Sequence, residues 1–227
     1  MKAIEGGDGK ISAGGGAPTT QNRGGRVQSL YRLAGARWYD PFRTVWVQVT
    51  SRAAEEKVDQ LVLESARAGC RVLDVGCGTG HNLGRLLRLE VPFESYRGVD
   101  LTDSMLAIAR RRYADESRAT FVVSDLHDLA DTPERFDLIA CTWVLSHLER
   151  PRDALEIACR LLAPSGQALF LTLTRPRWYV SWWFTPFVRM FQARYVDPAA
   201  FEGLPASTTI HTWTAGMVTL AQLRLIT

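Results

Sequence analysis

Arg71 to Leu86 reads RVLDVGCGTGHNLGRL, and this stretch most constrains what the chain can become. A short apolar run, Val72-Leu73-Asp74-Val75, leads into a turn through Gly76, Gly78 and Gly80. A pattern suited to a helix follows over Asn82 to Leu89. Strand, glycine turn and helix in that order open an α/β nucleotide-binding unit. Glycines allow the backbone to turn tightly and a ligand to approach closely. The helix behind them presents free N–H groups and a partial positive charge.

The spacing separates two kinds of ligand. The dinucleotide fingerprint G-x-G-x-x-G needs a third glycine where this chain has His81. Here the glycines fall at 76, 78 and 80 behind an acid, Asp74. This D-x-G-x-G-x-G resembles motif I of the class I S-adenosylmethionine (SAM) dependent methyltransferases. The resemblance implies that the loop, with Asp74, Gly76, Cys77, Gly78 and Gly80, holds the amino-acid half of SAM.

Later segments extend the resemblance at suitable intervals. A second strand, Tyr96 to Leu101, contains Asp100, which lies 24 residues after Gly76. An acid about 20 residues beyond a glycine loop is where a ribose diol meets the second strand's end. Its carboxylate can accept from both hydroxyls. Thr102 or Asp103 would cap a helix over Ser104 to Tyr113. GVDLTDSML is similar to the family's post-I motif, which implies that Leu101 and Met105 flank the adenine; plain core packing is the other reading of Met105. A third strand, Thr120 to Val123, runs into Ser124-Asp125-Leu126, similar to motif II. There the resemblance implies that Asp125 accepts from the adenine amine and the Leu126 N–H reaches a ring nitrogen, with Asp128 as an alternative acid. His127 reads as a loop histidine.

The fourth strand is Phe136 to Thr142, whose run Leu138 to Cys141 suits a strand buried on both faces. RFDLIACTWVLSHLERP is similar to the family's segment ending in L-H-H-L-x-x-P, with Ser146 in place of the first histidine and His147 at the second. Thr142 to His147 would open onto the site at the strand's carboxyl end. Thr142 is placed at the cofactor and Trp143 at the wall of the acceptor pocket. His147 is either the group that orients or deprotonates an acceptor or a structural histidine bonded to a loop, and the structural role carries more weight. A helix over Asp153 to Leu162, a turn at Ala163 to Gly166 and a fifth strand at Gln167 to Thr174 follow, with LLAPSGQALFLTL matching motif III. Two further runs, Thr208–Thr214 and Met217–Leu225, read as a hairpin about Gly216.

The expected fold is therefore α/β, a Rossmann-like doubly wound seven-stranded sheet, mostly parallel with a C-terminal antiparallel hairpin. Residues 30–227 would form the SAM-dependent methyltransferase domain. Residues 1–29 hold eight of the eighteen glycines and scarcely a large apolar side chain, so they read as a disordered tail. Residues 30–68 read as helical, either packed core or a lid over the site. YRLAGARWYDPF is similar to the N-terminal segment of small-molecule and lipid methyltransferases, which implies that Tyr31 and Tyr39 line the pocket. Residues 175–200 begin with an aromatic segment holding Trp178, Trp182 and Trp183 among four arginines. It is read either as a helix capping the acceptor pocket, with Trp178 in that pocket, or as a peripheral membrane contact through 175–194.

Composition narrows the chemistry. The net charge of +3 is too mild to argue for nucleic acid, and Arg110-Arg111-Arg112 reads as a solvated helix face. Cys70, Cys77, Cys141 and Cys159 show no C-x-x-C spacing, so no metal site is expected. Reduced thiols, no secretory leader and no long apolar run suit a cytoplasmic protein, peripheral to the membrane if the aromatic segment docks there. What the resemblance implies is methyl transfer from SAM to a small-molecule or lipid-like acceptor. Phospholipid or betaine-lipid enzymes transferring a methyl or aminocarboxypropyl group, and a non-catalytic SAM-binding partner subunit, are the alternatives.

Overall fold

A computed structural model of the protein describes residues 50–225 except 66, 191 and 192. The expected tail at 1–29, Tyr31 and Tyr39, and most of the expected lid at 30–68 lie outside the described residues. What is described of that lid ends in helix α1, Arg52–Glu64. Ser65 closes it, its Oγ donating to the Leu61 carbonyl at 2.9 Å.

The order continues β1 (Arg71–Val75), α2 (His81–Arg88), β2 (Ser95–Asp100), α3 (Asp103–Arg112), β3 (Ala119–Val123), β4 (Phe136–Thr142), α4 (Pro151–Leu161), β5 (Leu162–Leu173), α5 (Trp178–Met190), β6 (Ala206–Trp213) and β7 (Val218–Leu225). The seven strands form one sheet in the order β3-β2-β1-β4-β5-β7-β6. The first five run parallel, while β7 pairs antiparallel with both β5 and β6. This is the expected doubly wound sheet with its closing hairpin. From β1 the chain moves outward to β3 and then returns to β4 on the other side of β1. That reversal opens a crevice at the carboxyl ends of β1 and β4.

Both faces of the sheet are covered, which is why its central strands read as apolar runs. On one face Leu73, Val75, Ile139, Cys141 and Phe170 pack with Leu155 and Ala158 of α4. On the other, Val72, Leu138, Leu169 and Leu171 pack with Val58 and Leu61 of α1 and Leu83 and Leu86 of α2. The alternation within β4, Leu138 one way and Ile139 and Cys141 the other, is the two-residue period of a strand.

The turn expected at Ala163 to Gly166 is absorbed into β5 as an irregularity. Phe136 pairs with Leu162 and Leu138 with Gln167, so β5 advances five residues where β4 advances two. The extra residues bulge outward, with Pro164 and Ser165 exposed.

Candidate active site

The crevice holds a cleft of about 300 Å³. The glycine loop, the ends of β2 and β3 and the segment after β4 all reach it. Gly76 and Gly78 line it, with φ of 68° and 53°. At Gly76 the left-handed backbone coincides with a close approach: a Cβ there would lie 2.2 Å from Val144 Cγ2. Gly76 and Cys77 both donate their N–H to the Val99 carbonyl, at 2.8 and 3.0 Å, which pins the loop to β2.

Asp100 ties the same two elements from the other side. Its Oδ2 accepts the Gly78 N–H at 3.0 Å and its Oδ1 the Thr102 N–H at 2.8 Å. Burial pushes its pKa up, and the bonds from Thr102 and Gly78 act against that rise. Each carboxylate oxygen has a second lone pair to offer a ligand. Leu101 and Met105 border the cleft beyond it, Leu101 exposed and Met105 buried. Thr102 precedes α3 as its N-cap residue.

At the end of β3, Ser124, Asp125, Leu126 and His127 form the next wall. A capping box builds the short 3₁₀ turn Leu126–Leu129. Asp125 Oδ1 accepts the His127 N–H at 3.1 Å and contacts His127 Nδ1 at 2.8 Å. Asp128 Oδ2 in turn accepts the Asp125 N–H at 3.0 Å. Asp128 thus shapes the turn, and it is Asp125 that borders the cleft. His127 borders it too, a position that its reading as a loop histidine did not anticipate.

Thr142, Trp143, Val144, His147, Leu148, Glu149 and Arg150 close the far side. Trp143 takes φ of 66°, a left-handed conformation that a bulky side chain seldom adopts. Its N–H donates to the Leu171 carbonyl at 2.6 Å and its indole Nε1 to Glu55 Oε1 at 3.0 Å. His147 borders the cleft while its Nδ1 is buried with no hydrogen-bond partner among the described residues. Burial lowers its pKa, so the imidazole is neutral at pH 7.

Four of the expected site residues stand away from the cleft lining. Asp74 does not reach the cleft: it is fully buried beneath the loop, where Tyr96 Oη donates to Oδ2 at 2.6 Å and Asn82 Nδ2 to Oδ1 at 2.9 Å. Burial pushes its pKa up to about 6, against the bonds from Tyr96 and Asn82. Cys77 and Gly80 are also absent from the lining. Cys77 is buried against Gly98 of β2, and Gly80 begins α2 in a left-handed conformation packed against Tyr113. Trp178 is 82% exposed on α5 and lines no part of the cleft, because α5 turns that side of the helix outward.

Behind the cleft runs a polar chain that the sequence reading did not find. Asn82 Nδ2 bridges Asp74 to Thr142 Oγ1, the latter at 3.1 Å. Asn82 Oδ1 accepts from Arg85 Nη1 at 2.5 Å, and Arg85 also pairs with Glu55 and, at 2.6 Å, with Asp59. Glu55 then reaches Trp143. A buried guanidinium is tolerated only when it is paired, and here each of its three nitrogens donates to a partner. The inward placement of Cys77, by contrast, has a readable signal in Gly98, a lone glycine inside a strand, which marks close approach by another backbone or side chain. A Cβ there would lie 2.7 Å from Cys77 Sγ.

Residues 72–166 match a family model described as a methyltransferase domain. A ubiquinone biosynthesis O-methyltransferase from Alkalilimnicola ehrlichii is 33% identical over 115 residues, covering 49% of this chain and 45% of that protein. The ubiquinone/menaquinone biosynthesis C-methyltransferase UbiE of Azotobacter vinelandii is 34% identical over 117 residues, covering 50% and 46%. The chain thus spans a little under half the length of these curated relatives. The solved DhpI–SAH complex superposes with a TM-score of 0.65 at 20% identity, covering 91% of this chain and 98% of that one, a likeness of fold. Family match, strand order and glycine loop agree, and together they make residues 72–166 similar to the methyltransferase domain of SAM-dependent enzymes.

Proposed function

We propose that the protein transfers a methyl group from SAM to a small-molecule or lipid-like acceptor attacked at oxygen or carbon. The observation that carries the SAM half is Asp100: one carboxylate at the cleft holds both the glycine loop and the start of α3. Gly76 and Gly78 offer bare backbone beside it, so the residues fit the cofactor. Asp100 would accept from the ribose hydroxyls. Leu101 and Met105 would flank the adenine, and Asp125 and the Leu126 N–H would read its edge. Thr142, held by Asn82, would face the methyl-bearing end. When bound, SAM supplies a methyl on a sulfonium, whose leaving group departs as a neutral thioether.

The protein's own task is to align the acceptor and exclude water. Trp143, fixed by Glu55 and by the Leu171 carbonyl, would wall the acceptor side. Two relatives are named for O- and C-methylation, and an acceptor of either kind must give up a proton. We assign that proton to His147, neutral at the cleft and lacking a partner at Nδ1. The acceptor's O–H or C–H bond would break as its electron pair attacks the methyl carbon, leaving imidazolium behind.

The test is to incubate the purified protein and methyl-labelled SAM with a host extract, then separate lipid, small-molecule, protein and RNA fractions. Label in the lipid or small-molecule fraction is expected. Label confined to protein or RNA, or no transfer at all with SAM bound, would overturn the reading.

A further inference from the structure

Helix α5 leaves the sheet after β5 and returns to it before β6, and one of its faces is committed to the core. Val180, Phe184 and Val188 pack on the same cluster as Leu171, Leu173 and Trp143. The opposite side carries Trp178, Tyr179, Trp182 and Trp183, spaced one and four residues apart and so adjacent on the helix surface. The three tryptophans are 82%, 73% and 74% exposed. They contact aromatic neighbours beside them, with Trp182 and Trp183 edge to face at 5.0 Å and Trp178 and Tyr179 at 5.9 Å. So large a contiguous aromatic surface marks an interaction site.

Charge identifies the occupant. Arg175, Arg177, Arg189 and Arg194 flank the aromatics, all exposed, and residues 175–196 contain no Asp or Glu. A second copy meeting this face symmetrically would bring the same arginines against themselves. Residues 1–49 carry seven Lys and Arg against three Asp and Glu, so they too repel it. An anionic surface is complementary. Tryptophan and tyrosine rings favour the boundary between headgroups and acyl chains, and arginine reaches the phosphates above them. The helix has 13 residues with Pro186 inside, about 20 Å at 1.5 Å per residue, too short to cross a bilayer of about 30 Å.

We propose that the exposed aromatic face of α5 docks the protein onto an anionic lipid surface, with Trp178, Tyr179, Trp182 and Trp183 entering the headgroup layer and the flanking arginines on the phosphates. The site lies beside the cleft's acceptor side: α5 packs against the cluster holding Trp143, and the Arg194 N–H donates to the Ser146 carbonyl at 2.8 Å, one residue from His147. Docking stands on α5 and its flanking arginines and does not rest on methyl transfer.

The full chain is sedimented with vesicles of phosphatidylcholine alone and with equal parts phosphatidylcholine and phosphatidylglycerol. Binding to the anionic vesicles is expected to exceed binding to the neutral ones by about tenfold and to weaken with salt. The Trp182→Ser/Trp183→Ser variant, with its melting temperature unchanged, is expected to lose about tenfold in vesicle binding. The Arg175→Glu/Arg177→Glu variant reads the charge contribution separately. Failure to bind anionic vesicles, equal binding by the tryptophan variant, or a dimer that the tryptophan variant abolishes while vesicles go unbound would each overturn the proposal.

Discussion

Replacing Gly76 by alanine tests the geometry that joins the glycine loop to the acceptor side. At φ of 68° an L-residue pays for its left-handed conformation, about 1–2 kcal/mol. The new Cβ would also stand 2.2 Å from Val144 Cγ2 and 3.1 Å from Cγ1, an overlap relieved only by moving the segment after β4. Overpacking of this kind costs about 1–3 kcal/mol. The sum, about 2–5 kcal/mol, is a large part of a typical folding stability of about 5–15 kcal/mol. Val144→Ala removes both offending methyls and by itself should cost about 1 kcal/mol for a half-buried side chain. In the double variant only the 3.2 Å approach to the Cβ of residue 144 is left and the φ cost persists, so the two changes should couple favourably by about 1–3 kcal/mol. Urea unfolding of the wild type, both single variants and the double variant measures that coupling. Additive losses, or a Gly76→Ala protein as stable as the wild type, would refute the contact.

Gly98→Ala should destabilise by about 1–3 kcal/mol, because its Cβ would stand 2.7 Å from Cys77 Sγ, and Cys77→Ala should recover part of the loss in urea unfolding. Arg85→Met should cost about 3–5 kcal/mol in the same assay, since it leaves Glu55 and Asp59 without their buried guanidinium. His147→Ala should lower turnover by about 10²–10⁴-fold while leaving SAM affinity unchanged. For the wild type, burial depresses the His147 pKa, so the rate should hold as pH falls to the ordinary histidine range and drop only below it. A wild-type profile that already falls above pH 7, or an unchanged rate in the variant, would remove His147 from the chemistry.

The strands were legible wherever burial on both faces wrote an apolar run. The run Leu138 to Cys141 marked β4 at its observed bounds, Phe136–Thr142. Asp100 was legible because its distance from the glycine loop follows from one helix and one strand of ordinary length. Asp74 was not, since what turns it inward is Tyr96, 22 residues away on the neighbouring strand, and Asn82 on the helix above. No local pattern reveals a partner brought by strand pairing. The Glu55–Arg85–Asn82 chain was hidden for the same reason: α1 and α2 each read as ordinary charged amphipathic helices until the sheet set them side by side. Trp178 was assigned to the acceptor pocket from its place after the fifth strand, but position along the chain does not fix a helix's rotation. The core takes Val180, Phe184 and Val188, and the tryptophans are left outward.

The most direct measurement is calorimetric titration of SAM into the wild type and into a folded Asp100→Ala variant. The wild type should bind one SAM per chain. The variant should bind about 100-fold or more weakly, since two charge-assisted bonds at about 1.5–3 kcal/mol each are removed from the ribose. Wild-type protein that takes up no SAM, or a folded variant that binds it with unchanged affinity, would contradict the assignment of this cleft.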